Sequence, residues 1–144
     1  VTPTRAGTPT IHATAVSIRG QGVLLLGPPG SGKSDLALRL IDRGAVLIAD
    51  DRVAVSAGDP AMLSAPAAIA GRMEVRGVGL LPMPHADGVP ARLAVEMSAA
   101  PDRLPLPATL QVGEARVPLM RLAPFEASAP IKVELAVAHG LPSD

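Results

Sequence analysis

Short apolar runs separated by polar or glycine-containing breaks organise the first half of the chain. Residues 11–18 (IHATAVSI) read as a strand, and Arg19, Gly20, Gln21 and Gly22 supply turn chemistry after it. Residues 22–26 (GVLLL) are continuously apolar, as expected of a strand buried on both faces. The two strands are expected to form a hairpin. A helical pattern follows residue 34, with Leu36, Ala37, Leu40 and Ile41 on one face. Asp35 and Arg39 pair at i,i+4 on its solvent side, and Gly44 stops it. Residues 45–49 (AVLIA) form another buried strand, which runs into Asp50-Asp51, and 52–56 (RVAVS) read as one more. Residues 59–72 are Ala/Pro-rich and carry no clear period. Residues 73–81 (MEVRGVGLL) are apolar but interrupted by Gly77 and Gly79, and 82–90 read as a loop. Residues 91–97 (ARLAVEM) and 131–137 (IKVELAV) alternate as strands. The order predicts an α/β core with a strand hairpin before the helix and a β-rich second half.

Composition narrows the function classes. The 144 residues fit a single domain, 1–144, able to bury a core without staples, with the polar, Pro-rich residues 1–10 as a frayed tail. Thirteen basic and thirteen acidic residues give zero net charge, so no general electrostatic pull toward nucleic acid or membrane is expected. Phe125 is the only aromatic residue, which argues against base-stacking platforms for single-stranded nucleic acid. With no cysteine, thiolate catalysis and disulfide frameworks are excluded. There is no apolar run of transmembrane length and no secretory pattern at Val1–Gly7, so a cytoplasmic protein is the expectation.

The strongest motif lies between the second strand and the helix. Gly27, Pro28, Pro29, Gly30, Ser31, Gly32, Lys33 and Ser34 match the Walker A pattern in full. A buried strand ends, small residues let backbone N–H groups wrap phosphate oxygens, and a helix begins with its positive end toward them. Lys33 adds a point charge for the β/γ-phosphates, and the Ser34 hydroxyl is placed for Mg²⁺.

Asp50 and Asp51 follow a buried strand. A carboxylate at the end of a parallel strand beside such a loop points into the ligand crevice. One acid can serve the metal while the other takes a proton from an attacking hydroxyl; either aspartate fits either role. His12 in the first strand reads on its own as structural. Glu74 and Arg76 share a strand face, where an ion pair is the plain expectation. Arg121 has the chemistry of a phosphate clamp, although isolated arginines are usually solvated.

Taken together, residues 11–53, with the Walker A loop and the paired aspartates, resemble the catalytic core of HPr kinase/phosphorylase. Residues 73–81 look like that family's signature segment. The resemblance implies a P-loop fold related to phosphoenolpyruvate carboxykinase. It implies an ATP- and Mg²⁺-dependent serine kinase acting on the phosphocarrier protein HPr of the phosphotransferase system, and the reverse phosphorolysis. It also implies a homo-oligomer, usually a hexamer. By the same resemblance Lys33 and Ser34 hold phosphates and Mg²⁺. Glu74 is a second metal-associated carboxylate beside Asp50. Asp51 is favoured as the proton acceptor, His12 is an active-site histidine, and Arg121 is the nearest counterpart of the family's arginine. The chain starts near the core and stops at Asp144, so a short, core-only form is expected, with phosphorolysis and hexamer regulation the properties most affected. A small-molecule P-loop kinase and a non-catalytic nucleotide-binding module are the alternatives.

Overall fold

The computed structural model describes residues 9–141. In chain order the elements are β1 (Thr10–Ile11), β2 (Thr14–Ile18), β3 (Gln21–Leu26), α1 (Lys33–Asp42), β4 (Val46–Ala49), β5 (Val53–Val55), β6 (Met62–Ser64), β7 (Arg72–Val75), β8 (Gly79–Pro82), β9 (Val89–Met97), β10 (Thr109–Val112), β11 (Ala115–Leu122) and α2 (Ala129–His139). Among the described residues nine strands form one sheet, in the order β1-β5-β6-β9-β3-β2-β4. β11 joins β9 in parallel, and β10 pairs with β11. β7 and β8 form a separate two-stranded hairpin.

β2 and β3 pair antiparallel from Thr14↔Leu25 to Ile18↔Gln21, as the turn residues between them require. β4 lies on the far side of β2, antiparallel to it, while β9 runs parallel to β3. β3, β4, β9 and β11 therefore share one direction, and their C-terminal ends lie at the same end of the sheet. The expected parallel neighbour of the loop strand thus differs in detail: β4 points the right way, but the antiparallel β2 separates it from β3.

Alternation along β3 sends its side chains into two cores. Val23 and Leu25 join Leu36, Ala37 and Leu40 of α1 and Ala129 and Val133 of α2, whereas Leu24 joins Leu63, Val112 and Val117 on the other face. Leu36, Ala37 and Leu40 of α1 are fully covered and Ile41 partly, at roughly 1.5–3 kcal/mol for each leucine buried.

Four expectations are corrected. The strand over 11–18 is broken at His12-Ala13, because β1 pairs with β5 while β2 pairs with β3 and β4. Thr10 belongs to β1, and Val55 donates its N–H to the Pro9 carbonyl at 3.0 Å, so this end of the expected tail is paired; residues 1–8 lie outside the described residues. The loop expected over 82–90 contributes Pro82 to β8 and Val89 and Pro90 to β9. Residues 131–137 are helical: Ala129, Pro130 and Val133 are buried, and Ala136, Val137 and Leu141 pack on at helical spacing, while Ile131 and Leu135 face outward. Pro130 suits the first turn of a helix and not a central strand.

Candidate active site

The loop 27–32 leaves the end of β3 and closes onto the first residue of α1. It turns on itself through the Ser31 N–H, which donates to the Pro28 carbonyl at 3.1 Å. Two glycines make this path possible. At Gly27 an added Cβ would sit 2.5 Å from Ser31 Oγ. At Gly32, with φ +104°, it would sit 3.0 Å from the Phe125 ring and 3.1 Å from Pro124. Gly32 is also the residue before α1, so the free N–H groups of the first helical turn open at the loop. Lys33 is buried, with 8% of its surface exposed, and its Nζ donates to the Gly27 carbonyl at 2.7 Å. The ammonium is thus held across the mouth of the loop.

Asp50 gathers the rest of the site. The Ser34 hydroxyl donates to Asp50 Oδ1 at 2.7 Å, the Thr14 hydroxyl donates to the same oxygen at 3.2 Å, and the Glu74 N–H donates to Oδ2 at 3.2 Å. Four elements meet on one carboxylate: the first turn of α1, the start of β2, the end of β4 and β7. Asp51 differs. It is exposed, its φ is +70°, and its N–H donates to Thr14 Oγ1 at 3.2 Å. That bend leaves Asp50 committed to the helix start and the Asp51 carboxylate facing the cleft.

The cleft has a volume of about 510 Å³ and is lined by both aspartates, Lys33, Ser34, Glu74 and Arg76. Loop residues Pro29, Gly30 and Gly32, together with Asp35, Leu38, Met73, Val75 and Phe125, complete its wall. Glu74 and Arg76 both line the cleft, and Met73 beside them is buried in the core that includes Leu36 and Leu40 of α1. Among the described residues no three His, Asp or Glu side chains form a metal-holding group. Mg²⁺ does not need one: it keeps several waters and takes one or two protein oxygens plus substrate phosphates. The Ser34 hydroxyl and Asp50 carboxylate, hard oxygens 2.7 Å apart beside the loop, fit that demand.

Two residues singled out from the sequence stand apart from the cleft wall. His12 is exposed at the β1–β2 break. Arg121 on β11 pairs with Glu96 on β9, Nε to Oε1 at 2.8 Å. Two others were missed. Thr14 is fully buried in an apolar strand, and a lone buried hydroxyl there was the available signal. Phe125 lines the cleft from 92 residues beyond Lys33, and only its rarity marked it.

Comparison with known proteins identifies the family and the fold. Residues 4–96 match the family model described as HPr Serine kinase C-terminal domain. The chain is 43% identical over 82 residues to an HPr kinase/phosphorylase of Caldicellulosiruptor bescii, covering 56% of this chain and 26% of that protein. It is 46% identical over 78 residues to one of Bordetella petrii, covering 53% and 25%. The chain thus spans about a quarter of the length of these curated relatives. A solved structure of the Hpr(Ser) kinase/phosphatase from Coxiella burnetii superposes with a TM-score of 0.78 at 26% identity, covering 90% of this chain and 88% of that one. A mixed α/β fold of this kind, with the matched segment containing the loop and all four cleft carboxylates, places the chain in the HPr Serine kinase C-terminal domain family.

Proposed function

We propose that this chain is the catalytic core of a serine kinase that transfers the γ-phosphoryl group of ATP to HPr, the phosphocarrier protein of the phosphotransferase system. The observation that carries the reading is the Ser34–Asp50 bond at 2.7 Å next to the buried Lys33, at the opening of a loop shaped for phosphates. In this reading residues 27–34 bind the phosphates through backbone N–H groups, and Lys33 Nζ leaves the Gly27 carbonyl for the β/γ-oxygens. Ser34 and Asp50 hold Mg²⁺, with Glu74 as the second carboxylate. When bound, the ion neutralises charge that develops on the transferring group. Asp51, exposed on the cleft, takes the proton from the substrate serine as its oxygen bonds to phosphorus, while the bond to ADP breaks. Lys33 and the helix start stabilise the charge that gathers during transfer. The resemblance also gives His12 and Arg121 parts in catalysis; the reading rests on Lys33, Ser34, Asp50, Asp51 and Glu74, all of which line the cleft.

One sheet with both cores on its faces supports a single domain. No helix among the described residues is long and apolar enough to cross a membrane. Reverse phosphorolysis and assembly into a homo-oligomer, a hexamer by resemblance, belong to the same reading.

Intact-mass spectrometry of HPr incubated with this protein, ATP and Mg²⁺ tests it. One added phosphate on a serine is expected. Lys33→Ala should cut the rate at least about 10²-fold, the scale for removing one preorganised charge-stabilising donor. Pyrophosphate release on adding inorganic phosphate then reports the reverse step. ATP binding without transfer to HPr would instead favour a small-molecule kinase or a regulatory module.

A further inference from the structure

We propose that Phe125 is the stacking surface for the base of the bound nucleotide. The inference rests on the nucleotide-binding reading above and adds to it a subsite for the base. Phe125 is the only aromatic residue in 144, yet it is 70% exposed, and the exposed ring lines the cleft. An aromatic ring ordinarily contributes by burial; one left open at a ligand cleft offers its face. The ring is in contact with the loop itself, since a Cβ on Gly32 would lie 3.0 Å from it.

The segment that carries the ring is fixed to the first helix. Arg39 on α1 donates through Nη2 to the Pro124 carbonyl and through Nη1 to the Glu126 carbonyl at 3.2 Å. Its Nε is held by Asp35 Oδ2 at 3.1 Å. Lys132 Nζ pairs with Glu126 Oε2 at 3.1 Å from the start of α2. The carbonyls on either side of Phe125 are thus tied down, and the ring has only two side-chain torsions to order. A triphosphate seated on the loop and the first turn of α1 has its ribose and base to place along the rest of the cleft wall, to which Asp35, Leu38 and Phe125 contribute. Among the residues that line the cleft, Phe125 has the only aromatic ring. A π-face accepts any base, so adenine and guanine are expected to bind with similar strength. Phe125 lies beyond residue 96, where the family-model match ends.

The test uses equilibrium dialysis of ATP, GTP and inorganic tripolyphosphate, the last carrying the phosphates without a base. Phe125→Ala should weaken ATP and GTP binding by roughly 5- to 30-fold, the lower part of the range for base–aromatic stacking, and leave tripolyphosphate binding unchanged. Phe125→Trp should restore nucleotide affinity. As the chain's only tryptophan, it should be quenched by ATP and GTP but not by tripolyphosphate. Equal loss of tripolyphosphate in Phe125→Ala would reduce the ring to a support for the loop and overturn the proposal. Unchanged ATP binding would overturn it too, and a raised KM for HPr in that variant would make the ring a contact for the protein substrate. If the wild-type chain binds neither ATP nor tripolyphosphate, the nucleotide reading itself fails. If the wild type binds ATP and Phe125→Ala binds it as tightly, the function stands and only this inference falls.

Discussion

Replacing Thr14 by valine isolates one hydroxyl at the centre of the site. Valine keeps the shape and the β-branch, and Thr14 is fully buried, so packing changes little. What is lost is a donor to Asp50 Oδ1 and an acceptor for the Asp51 N–H, each at 3.2 Å. Bonds to charged groups contribute about 1.5–3 kcal/mol, and a donor left without a partner costs about 1–3 kcal/mol. Both bonds here are long, and Asp51 is exposed enough for water to replace the lost acceptor. The low end applies, and a net loss of about 1–2 kcal/mol is expected. For a chain of this size that corresponds to about 3–8 °C in Tm. Asp50 keeps Ser34 and the Glu74 N–H, so the variant should fold and bind ATP. The bend at Asp51 is less constrained, so phosphoryl transfer should fall more than nucleotide affinity, and Thr14→Ser should recover most of both losses. Far-ultraviolet circular dichroism is the right stability probe, because the chain has neither Trp nor Tyr. A Thr14→Val protein with wild-type Tm and wild-type transfer would refute the reasoning: the hydroxyl would then not hold the two aspartates.

Two further predictions concern the framework of the site. Leu40→Ala empties a fully buried position between α1 and the sheet and should cost about 2–5 kcal/mol, measured by chemical denaturation. Gly32→Ala forces a side chain into φ +104° and to within 3.0 Å of Phe125. It should destabilise by about 1–3 kcal/mol and, unlike Leu40→Ala, weaken ATP binding in calorimetry even where the protein remains folded.

The glycine-rich turn from β3 into α1, the helix itself and the strand that ends at the aspartate pair were legible because their patterns are local. Small residues, a lysine and a hydroxyl must follow a buried strand in consecutive positions, and that constraint is written into residues 22–34. The β2–β3 hairpin was legible for the same reason, since Arg19–Gly22 set its turn. The C-terminal helix was not. In IKVELAV a β-branched alternation satisfies period 2 as well as a partial helical stripe, and only the neighbours that bury Val133 decide between them. β11 gave no clear signal either: it joins the sheet through β9, more than twenty residues back in sequence, and β10 pairs only with β11.

The sequence by itself determined which chemical groups are present and the order in which they come: a Gly/Pro-rich loop ending in Lys33-Ser34, a paired carboxylate, a Glu–x–Arg segment and a single aromatic. Tertiary structure alone decided how they meet. The antiparallel β2, placed between β3 and β4, brings Thr14 under both aspartates, and this gives Asp50 and Asp51 different surroundings. The fold also returns the segment around Phe125 to α1 through Arg39, whose bonds to Pro124 and Glu126 span 85 and 87 positions that no local period encodes. Local patterns arise from the geometry of one helix or strand, whereas a site assembled from four elements exists only once the sheet has set their order.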